Sequence, residues 1–149
     1  MNDDRTLVLN QFTPYRLVNL AKRVSDACNA DFGEPNGVSV AEWRVLARLG
    51  EHDELSSRGL PDSTFMDKSR VSRAIASLED KQLIQTRTDA DDNRARIIGL
   101  SDSGRRLYKK MVPGALQWEA SFLSALSVTE LRDLLLSLSK LEAKLDIMK

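Results

Sequence analysis

Cysteine and histidine are almost absent from this sequence of 149 residues, which contains one of each. Cys28 has no second cysteine to pair with, so an intramolecular disulfide is excluded. One thiol and one imidazole, Cys28 and His52, are too few for a zinc site of the usual type, and we expect no metal and no cofactor. The sequence also lacks a Ser-His-Asp set and a glycine-rich phosphate loop, so we do not expect an enzyme.

Long uncharged runs and an overall net charge are missing too. No stretch of 18 residues is free of charge, so no membrane span is expected. The N-terminal stretch MNDDRTLVLNQ has no signal-peptide core, and a cytoplasmic protein is therefore the default expectation. The 22 Lys and Arg balance 22 Asp and Glu, but residues 58–110 hold twelve basic against eight acidic side chains. The middle of the chain is thus locally basic.

The most informative stretch is MDKSRVSRAIASLEDKQLI, residues 66–84. Apolar residues recur in it at helical spacing, namely Val71, Ala74, Ile75 and Leu78. They predict a helix that begins after an Asp67 N-cap, ends near Lys81 and buries one stripe. The other positions carry cations and small hydroxyls, which we interpret as a DNA-reading face: Lys68, Ser69, Arg70, Ser72, Arg73 and Ser77.

The chemistry of this face suits duplex DNA. An arginine can donate two hydrogen bonds to guanine, and each good pair contributes about 1–3 kcal/mol of discrimination. The helix N-terminus, residues 66–70, offers backbone N–H groups to phosphate. The alternative is an ordinary solvated helix face, which most cationic helix faces are.

The segment after this helix favours the DNA interpretation. LIQTRT (83–88) and RARIIGL (94–100) are strand candidates, and the acidic turn DADDN between them predicts a hairpin. Arg94 lies just beyond that turn and could enter a minor groove, whereas Asp92 could pair with a nearby arginine. We add Asp67, Arg94 and Arg96 to the candidate DNA-binding residues.

The segments before the central helix are expected to be helical. A first helix begins at Pro14 with Thr13 as N-cap and runs to about Phe32. Ser39 and Glu42 form a capping box for a second helix that Gly50 ends.

A short helix is expected next, capped by Ser56 or Ser57 and containing Gly59 and Pro61.

Two further helices complete the chain. Ser101 should cap a long helix that Pro113 kinks. Ser127 or Thr129 should cap the last helix, in which six leucines fall roughly on one side. We expect this helix and the first to pair with a second copy of the chain, although both apolar stripes could instead fill a monomer core.

Together these stretches resemble the MarR family of bacterial winged-helix regulators. The resemblance rests on SVAEWRVLARLG (39–50), MDKSRVSRAIASLE (66–79) and DADDNRARIIGLSDSGRRLY (89–108). The family's wing reads Asp-Pro-x-Asp-Arg-Arg, and here Ala90 and Asn93 replace the proline and the first arginine. The resemblance implies an obligate homodimer that reads a pseudo-palindromic operator.

The expected fold is therefore mainly α with a small β-hairpin wing, one winged helix-turn-helix domain over residues 1–149. Residues 1–36 and 113–149 would supply dimerisation helices, and residues 37–112 the DNA-binding lobe. The expected function is that of a homodimeric repressor, which a small ligand would release from its operator. The alternatives are a winged-helix module that contacts protein rather than duplex DNA, and a redox sensor based on Cys28.

The resemblance also implies a small, often aromatic, anionic effector between the dimer helices and the DNA-binding lobe. Arg16 could meet a carboxylate, and aromatic side chains could supply an apolar wall. Ordinary core packing is the simpler fate for any one of these aromatics. The candidates are Tyr15, Arg16, Trp43, Trp118 and Phe122.

Overall fold

The expected order of elements is found in the computed structural model, which describes residues 5–149. Residues 1–4, the beginning of the expected dimerisation segment 1–36, lie outside the described residues. Two compact units are present, of which the first ends at Pro113 and the second begins at Gly114. The elements are α1 (Thr13–Cys28), α2 (Val40–Glu51), β1 (Leu55–Ser56), α3 (Leu60–Thr64), α4 (Lys68–Asp80), β2 (Ile84–Thr88), β3 (Arg96–Leu100), α5 (Asp102–Leu123) and α6 (Val128–Ile147).

Helix α1 begins one residue earlier than predicted. Phe12, not Thr13, is the N-cap, because its backbone is extended and its carbonyl accepts the first helical bond from Arg16 N–H at 3.2 Å. The predicted end near Phe32 is reached by a π-helical turn, Asn29–Gly33, that continues the helix. None of the residues of α1 is buried within the chain.

Helix α2 carries the predicted capping box. Ser39 Oγ accepts from Glu42 N–H at 3.2 Å, and Glu42 Oε2 accepts from Ser39 N–H at 2.9 Å. Gly50 does not end the helix, which continues to Glu51. A Cβ at Gly50 would lie 2.3 Å from the ring of Tyr108, so this glycine is a packing requirement rather than a helix stop.

The sequence suggested Ser56 or Ser57 as the cap of the short helix α3, but neither residue caps it. Ser56 belongs to β1, and Ser57 is hydrogen-bonded to Arg96 of β3. Gly59 is its N-cap, and Pro61 is accommodated in its first turn. Thr64 ends it, and Phe65 then adopts a left-handed backbone with φ of 53° and a side chain that is 90% exposed. This turn leads directly into α4.

The sheet has three strands where the sequence predicted a two-stranded hairpin. Strands β2 and β3 form that hairpin, with Ile84 opposite Leu100 and Thr88 opposite Arg96. Strand β1 adds to the other edge of β3, which gives the order β1-β3-β2. A strand of two residues has too little alternation to be recognised from its sequence.

Ser101 caps α5 as predicted, since its Oγ accepts from Gly104 N–H at 3.0 Å. A Cβ at Gly104 would lie 1.9 Å from Leu83 O, so only glycine lets α5 approach the loop before β2. The helix runs through Pro113, and the predicted kink stays a prediction.

Ser127, the first of the two suggested positions, is the N-cap of helix α6, and it forms a capping box with Glu130. It buries none of its residues within the chain. The leucines at 134, 135, 138, 141 and 145 remain between 38% and 60% exposed. The pairing of this stripe with a second copy of the chain stays a prediction.

The buried core lies in the first unit, where α2, α3, α4 and the sheet meet. Its fully buried side chains include Leu46, Leu49, Leu60, Leu78 and Ile98. Within residues 5–149 no helix combines the length and the apolar character that crossing a bilayer requires.

Candidate nucleic-acid interface

Helix α4 has the two faces that its sequence predicted. Val71 is 2% exposed and Leu78 is fully buried, so the apolar stripe packs into the core. Arg70 and Arg73 lie on the opposite side and are exposed to solvent. The remaining exposed positions of the predicted reading face are Asp67, Lys68, Ser69 and Ser72.

The N-terminus of α4 is available to a phosphate. Asp67 Oδ1 accepts from Arg70 N–H at 2.8 Å, which satisfies one of the first-turn amides. The amides of Lys68 and Ser69 belong to the same turn, where helix geometry leaves N–H groups without intrahelical acceptors. The helix dipole favours an anion at this end.

Three arginines of this surface have no acidic partner within the described residues. Among residues 5–149, no carboxylate forms an ion pair with Arg70, Arg73 or the wing residue Arg94. Other arginines near the wing are paired, for example Arg87 with Glu54 at 2.9 Å. The structure thus separates arginines that hold the fold from arginines that are free to contact a partner.

Two predicted DNA-binding residues have internal partners instead. Ser77 is half-buried and its hydroxyl donates a hydrogen bond to Glu42 Oε1. Arg96 forms an ion pair with Glu79, with Nη2 to Oε1 at 2.7 Å, and also donates to the hydroxyl of Thr86. A direct DNA contact by either residue stays a prediction, because each side chain already has an acceptor within the lobe.

The carboxylate of Glu42 joins α2 to the C-terminal end of α4. It is 5% exposed and accepts from Lys81 Nζ at 2.8 Å as well as from Ser77 and from Ser39 N–H. Burial alone raises the pKa of Glu42, but the hydrogen bonds from Lys81, Ser77 and the Ser39 amide outweigh it, so the pKa is lowered. The capping box was visible in the sequence, whereas nothing in the local pattern pointed to Lys81.

The wing is fixed to the helix-turn-helix at two places. The Glu79–Arg96 contact joins it to α4, and the hydrogen bond from Arg96 lowers the pKa of Glu79, with a further contribution from Thr86. Arg58 Nη1 lies 2.8 Å from Asp92 Oδ2, so the predicted pairing of Asp92 with an arginine is found. Arg94 lies exposed beside this pair.

A third of the basic residues between 58 and 110 lie on α5 and not on the reading face. Four of the twelve basic residues between 58 and 110 fall in the first turns of α5, opposed there only by Asp102. They are all exposed: Arg105, Arg106, Lys109 and Lys110. The count of charges that favoured DNA binding therefore does not by itself locate the interface.

A cavity of about 390 Å³ lies between the end of α1 and the start of α2. Trp43 forms one wall and packs edge-on against Phe32, with ring centroids 5.5 Å apart. Arg44 is half-buried at the cavity and has no acidic partner among the described residues. Asn29 Oδ1 is buried there without a hydrogen-bond donor from the described chain. An apolar wall with a cation and a free acceptor suits a small aromatic anion.

Of the five predicted ligand-binding residues, only Trp43 lines this cavity. Tyr15 and Arg16 are exposed on α1 and are not among its lining residues. Trp118 and Phe122 belong to the second unit, where their rings stack 5.3 Å apart. Arg44 was missed, although its position next to Trp43 on an amphipathic helix could have indicated it.

Cys28 is the last residue of α1 and also lines the cavity. Burial raises the pKa of its thiol, and the nearby carboxylate of Asp31 raises that pKa further. A thiol in such surroundings carries little thiolate and reacts slowly with oxidants. These surroundings argue against the redox-sensing alternative.

Comparisons of this chain with a family model and with curated proteins agree with each other. The model of the MarR family matches residues 36–95. The regulator YdgJ of Bacillus subtilis, an uncharacterised HTH-type transcriptional regulator, is 29% identical over 82 residues, which cover 55% of this chain and 50% of YdgJ. The HTH-type transcriptional repressor NicR of Pseudomonas putida is 28% identical over 89 residues, which cover 60% of this chain and 56% of NicR. The match thus spans about half the length of these curated relatives.

Solved structures match over most of the chain. A MarR/EmrR family regulator from Acinetobacter sp. ADP1 superposes with a TM-score of 0.84 at 25% identity, covering 94% of this chain and 99% of that one. Bordetella bronchiseptica BpsR, whose DNA binding is regulated by 6-hydroxynicotinic acid, superposes with a TM-score of 0.73 at 25% identity. That match covers 85% of this chain and 98% of BpsR.

Proposed function

We propose that this chain is a member of the MarR family of winged-helix transcriptional regulators, which are transcription factors and not enzymes, and that it acts as a homodimeric, sequence-specific DNA-binding repressor. The observation that carries the proposal is that Arg70 and Arg73 are exposed, without an acidic partner among residues 5–149, on a helix whose other face is buried. In the major groove each guanidinium would donate to a guanine edge. Such a regulator would bind its DNA in the cytoplasm.

Two further groups would position the helix on the duplex. Lys68 and the first-turn amides of α4 are exposed next to the arginines and suit phosphate oxygens. Arg94 at the wing is exposed and suits an adjacent minor groove, whose negative potential attracts arginine. Reading by α4 and anchoring by the wing would then occur on neighbouring grooves.

The dimer is supported by the apolar surface of two helices. Helix α1 leaves Leu17 and Leu20 at least 40% exposed, and α6 leaves its leucine stripe exposed. Exposed apolar stripes of this kind often mark protein–protein contacts, and a second copy of the chain would cover them. Two recognition helices in successive major grooves of one face are separated by about 34 Å, which a two-fold dimer can match.

The effector site is proposed at the cavity beside Trp43. An aromatic acid would place its ring against Trp43 and its carboxylate at Arg44, and a hydroxyl group could donate to Asn29 Oδ1. The cavity shares Ser39 and Val40 with a second cleft that reaches Arg70 and Arg73 on α4. Ligand binding could therefore reposition the reading helix and release the operator.

The test is duplex binding as a function of salt. Duplexes that the wild-type protein enriches from a random pool are titrated with protein by fluorescence anisotropy between about 50 and 200 mM salt. We expect the affinity for the enriched duplex to fall as the salt concentration rises. In a plot of the logarithm of the binding constant against the logarithm of the salt concentration, each phosphate contact should contribute about one unit of negative slope. If the protein enriches no duplex from the pool at the lowest salt, DNA binding is refuted and the protein-interaction alternative is favoured.

A further inference from the structure

The tip of the wing is organised by one carboxylate. Asp92 Oδ1 accepts from Arg94 N–H at 3.0 Å, and the main-chain oxygen of Asp92 accepts from Ala95 N–H at 2.9 Å. The loop 89–95 contains neither proline nor glycine, so no proline ring restricts its backbone. The direction in which Arg94 leaves the loop therefore depends on how Asp92 is held.

The second oxygen of that carboxylate reaches outside the hairpin. Arg58 Nη1 lies 2.8 Å from Asp92 Oδ2, and Arg58 belongs to the segment between β1 and α3. The preceding residue, Ser57, exchanges two hydrogen bonds with Arg96, at 2.8 and 3.1 Å. The start of β3 and the tip of the wing are thus both joined to the segment that leads into α3.

We propose that Arg58 is a positioning residue for DNA binding, which acts through Asp92 to fix where the wing presents Arg94. This inference rests on the proposed function. The obvious alternative is that Arg58, with a side chain that is 62% exposed, contacts a phosphate itself. Its guanidinium is already paired with Asp92, whereas that of Arg94 has no acidic partner among the described residues.

The two roles predict opposite effects of Asp92→Asn. Asparagine keeps an oxygen that can accept from Arg94 N–H, so the substitution mainly removes the charge that holds Arg58. If Arg58 contacts phosphate directly, removing a negative charge near DNA should tighten binding. If Arg58 acts through Asp92, the same substitution should weaken binding.

The experiment compares Arg58→Gln, Asp92→Asn, the double variant and Arg58→Lys on the duplex enriched by the wild type. We expect each single glutamine or asparagine variant to bind about two- to five-fold more weakly per wing, the range for an exposed ion pair. The double variant should be no weaker than either single one, and Arg58→Lys should recover most of the affinity. Additive losses, or tighter binding by Asp92→Asn, would overturn the proposal.

A matched control is Arg87→Gln. Arg87 pairs with Glu54 at 2.9 Å on the same sheet and is 58% exposed, but it does not contact the tip of the wing. We expect this variant to change affinity less than Arg58→Gln. An equal loss in the two variants would overturn the proposal, because any ion pair of the sheet would then have the same effect.

A measurement without DNA separates this inference from the proposed function. In the free protein, amide hydrogen exchange at Arg94 and Ala95 should be faster in Arg58→Gln than in the wild type, with exchange in α6 unchanged. Unchanged exchange at the tip would overturn the positioning role even if duplex binding is found. Faster exchange in a protein that binds no duplex would refute the proposed function, but it would support the role of Arg58 in holding the tip of the wing.

Discussion

Glu42 at the start of α2 and Lys81 at the end of α4 form an ion pair of 2.8 Å, in which the carboxylate side chain is 6% exposed and the lysine side chain 40%. The same carboxylate closes the capping box of α2 and accepts from Ser77. Lys81 also donates to Gly37 O at 2.8 Å. One buried acid therefore joins the helix that borders the cavity to the helix that is proposed to read DNA.

Replacing Glu42 by glutamine should destabilise the fold. The amide would leave Lys81 without its ion pair and would weaken the contact with Ser77, and we expect a loss of about 1–3 kcal/mol in the free energy of unfolding. Urea denaturation followed by circular dichroism measures it. Glu130→Gln is the matched control, since Glu130 closes an exposed capping box, and it should cost less. Equal losses in the two variants would mean that the contacts of Glu42 with Lys81 and Ser77 add nothing to the stability that the capping box provides.

The same residue should give stability a pH dependence. The pKa of Glu42 is lowered from its ordinary value of 4.5, so the folded state binds this proton less readily than the unfolded state. Its contribution is fully present above the unfolded pKa and is lost as the pH falls below 4.5 through the folded pKa. Urea denaturation at several pH values should show the gap between wild type and Glu42→Gln narrowing in that acid range. A gap that stays constant throughout that acid range would contradict this.

Arg73→Ala should reduce sequence discrimination more than general affinity for DNA. Loss of a bidentate guanine contact costs about 1–3 kcal/mol at one base pair, whereas binding to unrelated duplexes should change little. Competition between the enriched duplex and a scrambled duplex measures the ratio. Arg105→Ala removes another exposed cation, from α5, and should leave the ratio unchanged. If Arg73→Ala retained full discrimination, α4 would not be the reading helix.

Leu138→Glu should dissociate the proposed dimer. Leu138 lies in the middle of the exposed leucine stripe of α6, and a carboxylate there would have to be buried against the second copy. Sedimentation velocity should show a monomer, and affinity for the pseudo-palindrome should fall with it. Lys140→Glu introduces the same carboxylate on the opposite side of α6, and it should remain dimeric. A dimer in both variants would place the interface elsewhere.

Arg44→Gln should abolish ligand binding at the cavity. With 6-hydroxynicotinic acid as the probe, we expect the melting temperature of the wild type to rise with ligand concentration and that of Arg44→Gln to stay constant. Arg16→Gln tests the residue that the sequence suggested, and it should respond like the wild type. The reverse pattern would assign the carboxylate to Arg16. No shift in the wild type would exclude this acid as the effector.

The caps of α2, α4 and α6 and the two faces of α4 could be predicted because they depend on neighbours in the sequence. Ser39 with Glu42, Asp67 with Arg70, and Ser127 with Glu130 are each separated by three residues, the spacing that a helix brings together. The stripe from Val71 to Leu78 follows the same period. A single sequence therefore determined where α4 lies and which of its faces is buried.

Only the tertiary structure decided which polar residues of the lobe are already used. Ser77 meets Glu42 across 35 residues and Lys81 meets it across 39, separations at which no helical or strand period relates two positions. The contact between Arg58 and Asp92 also joins residues that are far apart in the sequence. The third strand and the position of Arg44 at the cavity likewise became visible only in the tertiary structure. Such contacts form because packing the apolar stripes brings distant side chains together, and the chain then selects partners by charge and distance.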